Sequence, residues 1–147
     1  MSCIEGKVIL ITGASSGFGM VTAKQCVEHG AKVVLGARRE DRLSDLCNEL
    51  GNENAIFKAT DVTNKQQVND LANFGIDTFG KIDSLVNNAG IMPLSFIEQG
   101  RTDEWDSMID VNIKGVLYAI DSVYNHMIER GTVSYTHLRA HETRSYR

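Results

Sequence analysis

Short continuous apolar runs alternate along the chain with longer stretches whose apolar residues recur at helical spacing. Residues 8–11 (V-I-L-I), 32–35 (K-V-V-L), 55–59 and 83–86 form the runs. They are rich in β-branched residues and do not alternate with polar ones, as expected of strands buried on both faces of a parallel sheet. Between them, residues 20–29 predict a first helix and Gly30 its stop. Leu43, Leu46, Cys47 and Leu50 share one face of a second helix that Gly51 ends. A third helix over residues 67–79 turns Val68, Leu71, Ala72 and Ile76 inward, and Gly75 is a local weakness in it.

The last helix opens at Thr102, read as its N-cap. Trp105, Met108, Ile109, Asn112, Val116, Ala119, Val123 and Met127 make one stripe; Ile113, Leu117, Ile120, Tyr124 and Ile128 make a second apolar face. A helix apolar on two sides is expected to be buried on two sides, here against the sheet and against a second subunit. Strand–helix alternation predicts an α/β fold, a doubly wound parallel sheet with right-handed crossovers, about four strands and four helices.

The first strand runs into T-G-A-S-S-G-F-G, residues 12–19, and then into a helix. Helix-start N–H groups and the helix dipole favour an anion there. Gly13 permits the sharp turn; Gly17 and Gly19 keep Cβ atoms out of the way of a pyrophosphate; Ser15 and Ser16 add hydroxyls. A glycine-rich turn without a ligand is the plainer reading. The strand before, the helix after and the second strand beyond favour a nucleotide. At the end of the second strand no acid stands at 36–38, while Arg38 and Arg39 follow. Arginines here accommodate a ribose 2′-phosphate, which points to NADP(H) rather than NAD(H). The alternative is a pair of solvated charges at a helix start, where cations oppose the dipole.

Asp61 falls at the carboxyl end of the third strand, where ligands bind; Asp61 or Thr63 also suits the N-cap of the next helix. Asn87-Asn88-Ala89-Gly90 closes the fourth strand, with amides able to bridge loops or hold a ribose. Asn112 is the polar residue of its stripe, either a structural bracket or a site residue.

Composition narrows the picture further. With 147 residues, 42% hydrophobic and 23% charged, the chain is one domain's worth of ordinary globular protein. A net charge of −4 gives no case for nucleic acid or an anionic membrane. No apolar run approaches a membrane span, and no signal peptide is evident. Cys3, Cys26 and Cys47 read as reduced thiols, so a cytoplasmic location is expected. His137 and His141 stand at i, i+4 without an evident third ligand, and no metal site is expected.

Taken together, these residues resemble the short-chain dehydrogenase/reductase family. Residues 12–19 match its T-G-x-x-x-G-x-G, with Phe18 where isoleucine is commoner, and residues 87–90 match its N-N-A-G. Asp61-Val62 matches its adenine-contacting pair, and Asn112 in D-V-N-I-K-G matches the asparagine that holds a water in its proton relay. The segment G-A-R-R-E-D-R-L is similar to NADP(H)-dependent members, within them to the group acting on serine, 3-hydroxy acids and related small alcohols. The resemblance implies the N-terminal part of a Rossmann-type sheet in an oxidoreductase that passes hydride between NADP(H) and a small alcohol or carbonyl substrate. Gly13, Ser16, Gly17 and Gly19 would then hold phosphates, with Thr12, Ser15 and Phe18 also cofactor-binding, and Arg38 and Arg39 would hold the 2′-phosphate. Asp61 and Val62 would hold adenine, and Asn88, Ala89 and Gly90 the ribose side, leaving Asn112 as the catalytic residue present.

Family members are longer, and their catalytic Ser and Tyr-x-x-x-Lys lie on a fifth strand and the helix after it. Tyr118 and Tyr124 have no lysine four residues on, and Tyr135 has Arg139 there. The 147-residue chain is therefore expected to be inactive. Residues 133–147 are polar and unpatterned, and residues 133–143 resemble one reading frame of a transposon-end adaptor used to prepare sequencing libraries. On that reading residues 1–132 form a partial NADP(H)-binding domain, and the fourth strand has an unpaired edge that leaves the fold marginal. A non-catalytic nucleotide-binding module is the alternative; a sugar-nucleotide epimerase, with T-G-x-x-G-x-x-G, ranks lower. Full-length relatives are expected to be homo-oligomers, dimers or tetramers.

Overall fold

A computed structural model describes residues 3–131 and, as backbone, 135–137. The chain runs β1 (Val8–Thr12), α1 (Gly17–Glu28), β2 (Lys32–Ala37), α2 (Glu40–Leu50), β3 (Ala55–Ala59), α3 (Lys65–Phe79) and β4 (Ser84–Asn87). After a 3₁₀ turn at Ile97–Gln99 come α4 (Thr102–Ile109), a π-helical turn (Asp110–Lys114), α5 (Gly115–Glu129) and β5 (Tyr135–His137). The strands form one sheet in the order β3-β2-β1-β4-β5, parallel at every pairing. This is a Rossmann-type doubly wound sheet.

Burial on both faces explains the unbroken apolar runs. Ile9 and Ile11 of β1 point into one core with Ala23 and Cys26 of α1 and Leu43, Leu46 and Cys47 of α2. Val8 and Leu10 point into the other, with Val68, Leu71 and Ala72 of α3 and Ala119, Val123 and Met127 of α5. Burial pushes the Cys26 thiol up, and the Cys47 thiol up to about 11, so neither is a reactive thiolate. The chain leaves β1 toward β2 and β3, then crosses to β4 on the other side. That reversal opens a crevice at the carboxyl ends of β1 and β4.

Four expectations are corrected. The outer edge of β4 is paired, not open: Leu85, Val86 and Asn87 align with Tyr135, Thr136 and His137. Backbone hydrogen bonding needs no particular side chains, so an unpatterned segment can still take up an edge. Gly75 is buried and necessary rather than weak, since a Cβ there would lie 2.8 Å from Val34 Cγ2. Helix α3 lies directly on β2 at that point. Thr102 is the first helical residue of α4 and not its cap; Arg101 takes the N-cap position without a side-chain bond. Asn64, not Asp61 or Thr63, caps α3, its side chain accepting from Gln67 N.

The long last helix is also less buried than its two stripes suggest. Ala119, Val123 and Met127 are at most 3% exposed, but Trp105 and Ile109 of the same stripe are exposed. Ile113, Leu117, Tyr124 and Ile128 of the second face are exposed as well. The π turn breaks the helical phase between the two halves.

At the amino end of the sheet, Asp83 ties three elements together. Its buried Oδ2 accepts from Val8 N at 2.9 Å and from Lys81 Nζ at 2.8 Å, and Arg130 Nη2 lies 3.6 Å from Oδ1. His126 Nε2 of α5 accepts from Ile82 N at 3.2 Å beside it. Burial pushes the Asp83 carboxyl up, but the Lys81 and Val8 hydrogen bonds and the Lys81 and Lys7 charges outweigh it, holding the carboxyl below its usual range.

Candidate functional site

The crevice is built by tying the loop after β1 to the loop after β4. Thr12 Oγ1 accepts from Asn88 N at 3.2 Å and from Ala89 N at 3.1 Å. Asn88 Nδ2 returns the tie, donating to Thr12 O at 3.0 Å and Gly13 O at 3.1 Å. The Asn88 amide thus bridges loops, one of the two roles open to it from sequence. Gly13 has φ +69°, and a Cβ there would lie 2.8 Å from Ala89 Cα. A Cβ on Gly19 would meet Gly13 O at 2.6 Å. These glycines let two loops and the start of α1 approach to backbone contact.

Helix α1 has no side-chain cap and no acid in its first turn. Its first N–H donors, which no helix can satisfy internally, are left for an anion. Ser16 at the N-cap is engaged elsewhere. Arg39, at the N-cap of α2, donates Nε (3.2 Å) and Nη2 (3.0 Å) to Ser15 Oγ, and Nη2 to Ser16 Oγ at 2.6 Å. The guanidinium therefore lies across the glycine-rich loop, held by two hydroxyls, and both hydroxyl protons remain available to an acceptor.

A cleft of about 820 Å³ opens beside this arrangement. Gly13, Ser15, Ser16, Arg38 and Arg39 wall one part of it, Asp61 and Val62 another, and Asn88, Ala89 and Gly90 a third. Thr12, Gly17, Phe18, Gly19 and Asn112 do not form its walls. Thr12 and Gly19 act from behind as spacing and tie, and Phe18 is 77% exposed at the start of α1. The sequence reading missed Thr60 and Thr63 beside Asp61, and Ser107, Asp110 and Val111 across the cleft. The two threonines flank a strand end and were legible there. Ser107 of α4 and Asp110 and Val111 of the π turn were not, because only tertiary packing brings that stretch over the cleft.

The Asn112 side chain forms a bracket to Ile91. Its Oδ1 accepts from Ile91 N at 2.9 Å and its Nδ2 donates to Ile91 O at 2.8 Å. Both ends of the amide are spent on one backbone residue of the cleft wall. Asn112 lies within the π turn, closed by Gly115 N donating to Asp110 O, and π turns often mark functional positions.

The donors present fit a dinucleotide. Uncapped helix N–H groups, two hydroxyls and two guanidiniums converge on one side, and the volume lies within the range of small-molecule sites, about 300–1,000 Å³. Among the described residues no group of three or more His, Cys, Asp or Glu is placed to hold a metal ion. Among the same residues no helix is long and apolar enough to cross a membrane.

Residues 7–134 match the family described as short chain dehydrogenase. The chain belongs to that family. It is 51% identical over 127 residues to an uncharacterized oxidoreductase of Staphylococcus saprophyticus, covering 86% of this chain and 52% of that protein. A solved closed form of serine dehydrogenase complexed with NADP+ superposes with TM-score 0.83 at 32% identity, covering 88% of this chain and 52% of that one. A short chain dehydrogenase/reductase from Burkholderia phymatum in complex with NAD gives TM-score 0.87 at 31% identity, over 93% and 50%. The chain spans about half the length of these relatives. By family, then, the chain carries a nucleotide-binding fold, and the two solved relatives named here were complexed with NADP+ and with NAD.

Proposed function

We propose that the chain is the cofactor-binding part of an NADP(H)-dependent oxidoreductase acting on a small alcohol or carbonyl substrate. The observation that carries the cofactor choice is the Arg39 guanidinium, clamped by Ser15 and Ser16 at the end of β2, where no acid competes for the ribose. Arg38 and Arg39 hold the 2′-phosphate, and the α1 N-terminus with Ser15 and Ser16 takes the pyrophosphate. Thr12, Gly13, Gly17, Phe18 and Gly19 shape that phosphate loop. Asp61 and Val62 hold adenine, and Asn88, Ala89 and Gly90 the ribose side. When bound, the cofactor supplies or accepts the hydride. Asn112 fixes the cleft wall through Ile91 and, through the opened π turn, offers backbone to a relay water. The likeness to NADP+-bound serine dehydrogenase supports a substrate among serine, 3-hydroxy acids and related alcohols.

A direct test titrates the chain with NADPH and NADH, following nicotinamide fluorescence. NADPH binds at least tenfold tighter, and Arg39→Ala sharply reduces that preference, leaving Arg38 as the remaining phosphate partner, while NADH binding stays within about twofold, a charge-assisted phosphate contact being worth about a tenfold factor. An unchanged preference in the variant overturns the assignment.

A second reading, a nucleotide-binding module without turnover, is favoured by Tyr118 and Tyr124 lacking a lysine four residues on. Without an acid/base the 147-residue chain binds cofactor and does not turn over. Nicotinamide fluorescence titration, followed by alcohol oxidation measured on a chain extended to the full length of its relatives, decides between the readings. Domain bounds of 1–132 with an adaptor-derived segment at 133–147 belong to the same proposal, supported by the polar, unpatterned sequence of residues 133–147. Resequencing the source DNA across codon 132 tests it. The full-length enzyme is a cytoplasmic homo-oligomer on this reading, with the exposed face of α5 as supporting observation.

A further inference from the structure

We propose that Gln67 is a positioning residue for adenine recognition, acting through the backbone of Asp61; the inference rests on the NADP(H) reading above. In the usual capping box the third helical residue reaches back to the N-cap amide. Here the arrangement is extended. Asn64 Oδ1 accepts from Gln67 N at 3.2 Å, which fixes the first turn of α3. The Gln67 side chain then passes the N-cap, and its Oε1 accepts from Asp61 N at 2.8 Å.

Asp61 is thereby gripped at its main chain, at the point where β3 has ended and the cleft wall begins. Its side chain is gripped on one oxygen only. Oδ1 accepts from Thr63 N at 3.0 Å and from Thr63 Oγ1 at 2.8 Å. Oδ2 has no donor among the described residues. A carboxylate fixed at its backbone and at one oxygen, and walling a cleft, presents its other oxygen to a ligand N–H.

The sheet order says which N–H. Arg39 at the end of β2 marks the adenosine ribose through its 2′-phosphate, and β3 is the next strand outward. The base beside Asp61 is then adenine, and its exocyclic amino group is the donor. Asp61 touches the base; Gln67 does not, and serves to hold Asp61 where the contact forms. Losing the Gln67 acceptor leaves the Asp61 amide unpaired and lets the 60–63 turn shift.

The experiment compares NADPH with its deamino analogue, in which oxygen replaces the adenine amino group, on the 147-residue chain as wild type, Gln67→Met and Gln67→Glu. Wild type prefers NADPH about tenfold, the scale of one hydrogen bond to a charged acceptor. Gln67→Met reduces the preference to about twofold or less without weakening the deamino analogue, and Gln67→Glu, which restores an acceptor, restores the preference. A merely structural role weakens both ligands alike and leaves their ratio unchanged, which overturns the proposal while NADPH binding stands. No preference in wild type overturns the adenine contact itself. A chain that binds neither ligand overturns the NADP(H) reading and this inference with it. Hydrogen exchange needs no variant: the Asp61 amide exchanges slowly in the unliganded protein, and rapid exchange overturns the Gln67 tie even if Gln67→Met does not fold.

Discussion

Two glycines of one motif should fail in different ways when given a methyl group. Gly13 and Gly17 both have positive φ, +69° and +57°. An L-residue in that region costs about 1–2 kcal/mol at either position. At Gly17 the cost stops there, since an added Cβ meets nothing within 4 Å. At Gly13 the Cβ would lie 2.8 Å from Ala89 Cα and 2.9 Å from Ala89 N. These are backbone atoms, pinned by Thr12 Oγ1, and cannot swing aside as a side-chain tip can. Forcing the two loops apart adds about 1–3 kcal/mol of overpacking. Gly13→Ala therefore costs about 2–5 kcal/mol in all, a large part of a typical stability of about 5–15 kcal/mol. With a urea slope of about 2 kcal/mol per molar, its unfolding midpoint falls by roughly 1–2.5 M. Gly17→Ala moves it by roughly 0.5–1 M on the same slope. Urea titration followed by far-ultraviolet circular dichroism measures both. Equal shifts for the two variants, or a larger one for Gly17→Ala, would refute the argument that close approach of the β4 loop separates them.

Other outcomes follow from the packing and the buried charge. Gly75→Ala should destabilise by about 1–2 kcal/mol although alanine favours helix by roughly 0.8–1, because the stiff Val34 side chain is fully buried and cannot yield; a stabilised variant in the same urea assay counts against the close α3–β2 contact. Asp83→Asn should lose about 1–2 kcal/mol at neutral pH. The Asp83 carboxyl titrates below its unfolded value of about 3.9, so its contribution is present above that pH and is lost as pH falls through the folded value. Wild type should accordingly lose its advantage over Asp83→Asn below about pH 4; a constant difference between urea midpoints at pH 7 and pH 3 refutes the assignment. The Arg39→Ala and Gln67→Met titrations complete the set, one reading the 2′-phosphate and the other the adenine.

Most strands and helices could be read along the chain because each residue's immediate neighbours carry the relevant signal. An unbroken V-I-L-I can be satisfied only by cover on both faces, and Ile9 and Leu10 do enter opposite cores. A glycine-rich turn between strand and helix, with arginines at the next strand end, sets out the cleft by spacing alone. Caps were harder: Asp61, Thr63 and Asn64 all suit an N-cap chemically, and only the path of the chain gives the position to Asn64. Gly75 looked like a fault because helix propensity is a local quantity, whereas its reason is a distance to Val34 more than 40 positions away.

The sequence by itself determined the α/β alternation, the parallel sheet and the glycine-rich turn between β1 and α1, since these depend on periodicity and on backbone freedom at a few glycines. Tertiary structure alone decided that Asn112 brackets Ile91, that Arg39 lies on Ser15 and Ser16, and that Gln67 holds the Asp61 backbone. Each of those is a directed hydrogen bond between groups whose separation is set by how elements pack, and no pattern of neighbours along a chain encodes a distance of 2.8 Å across a turn.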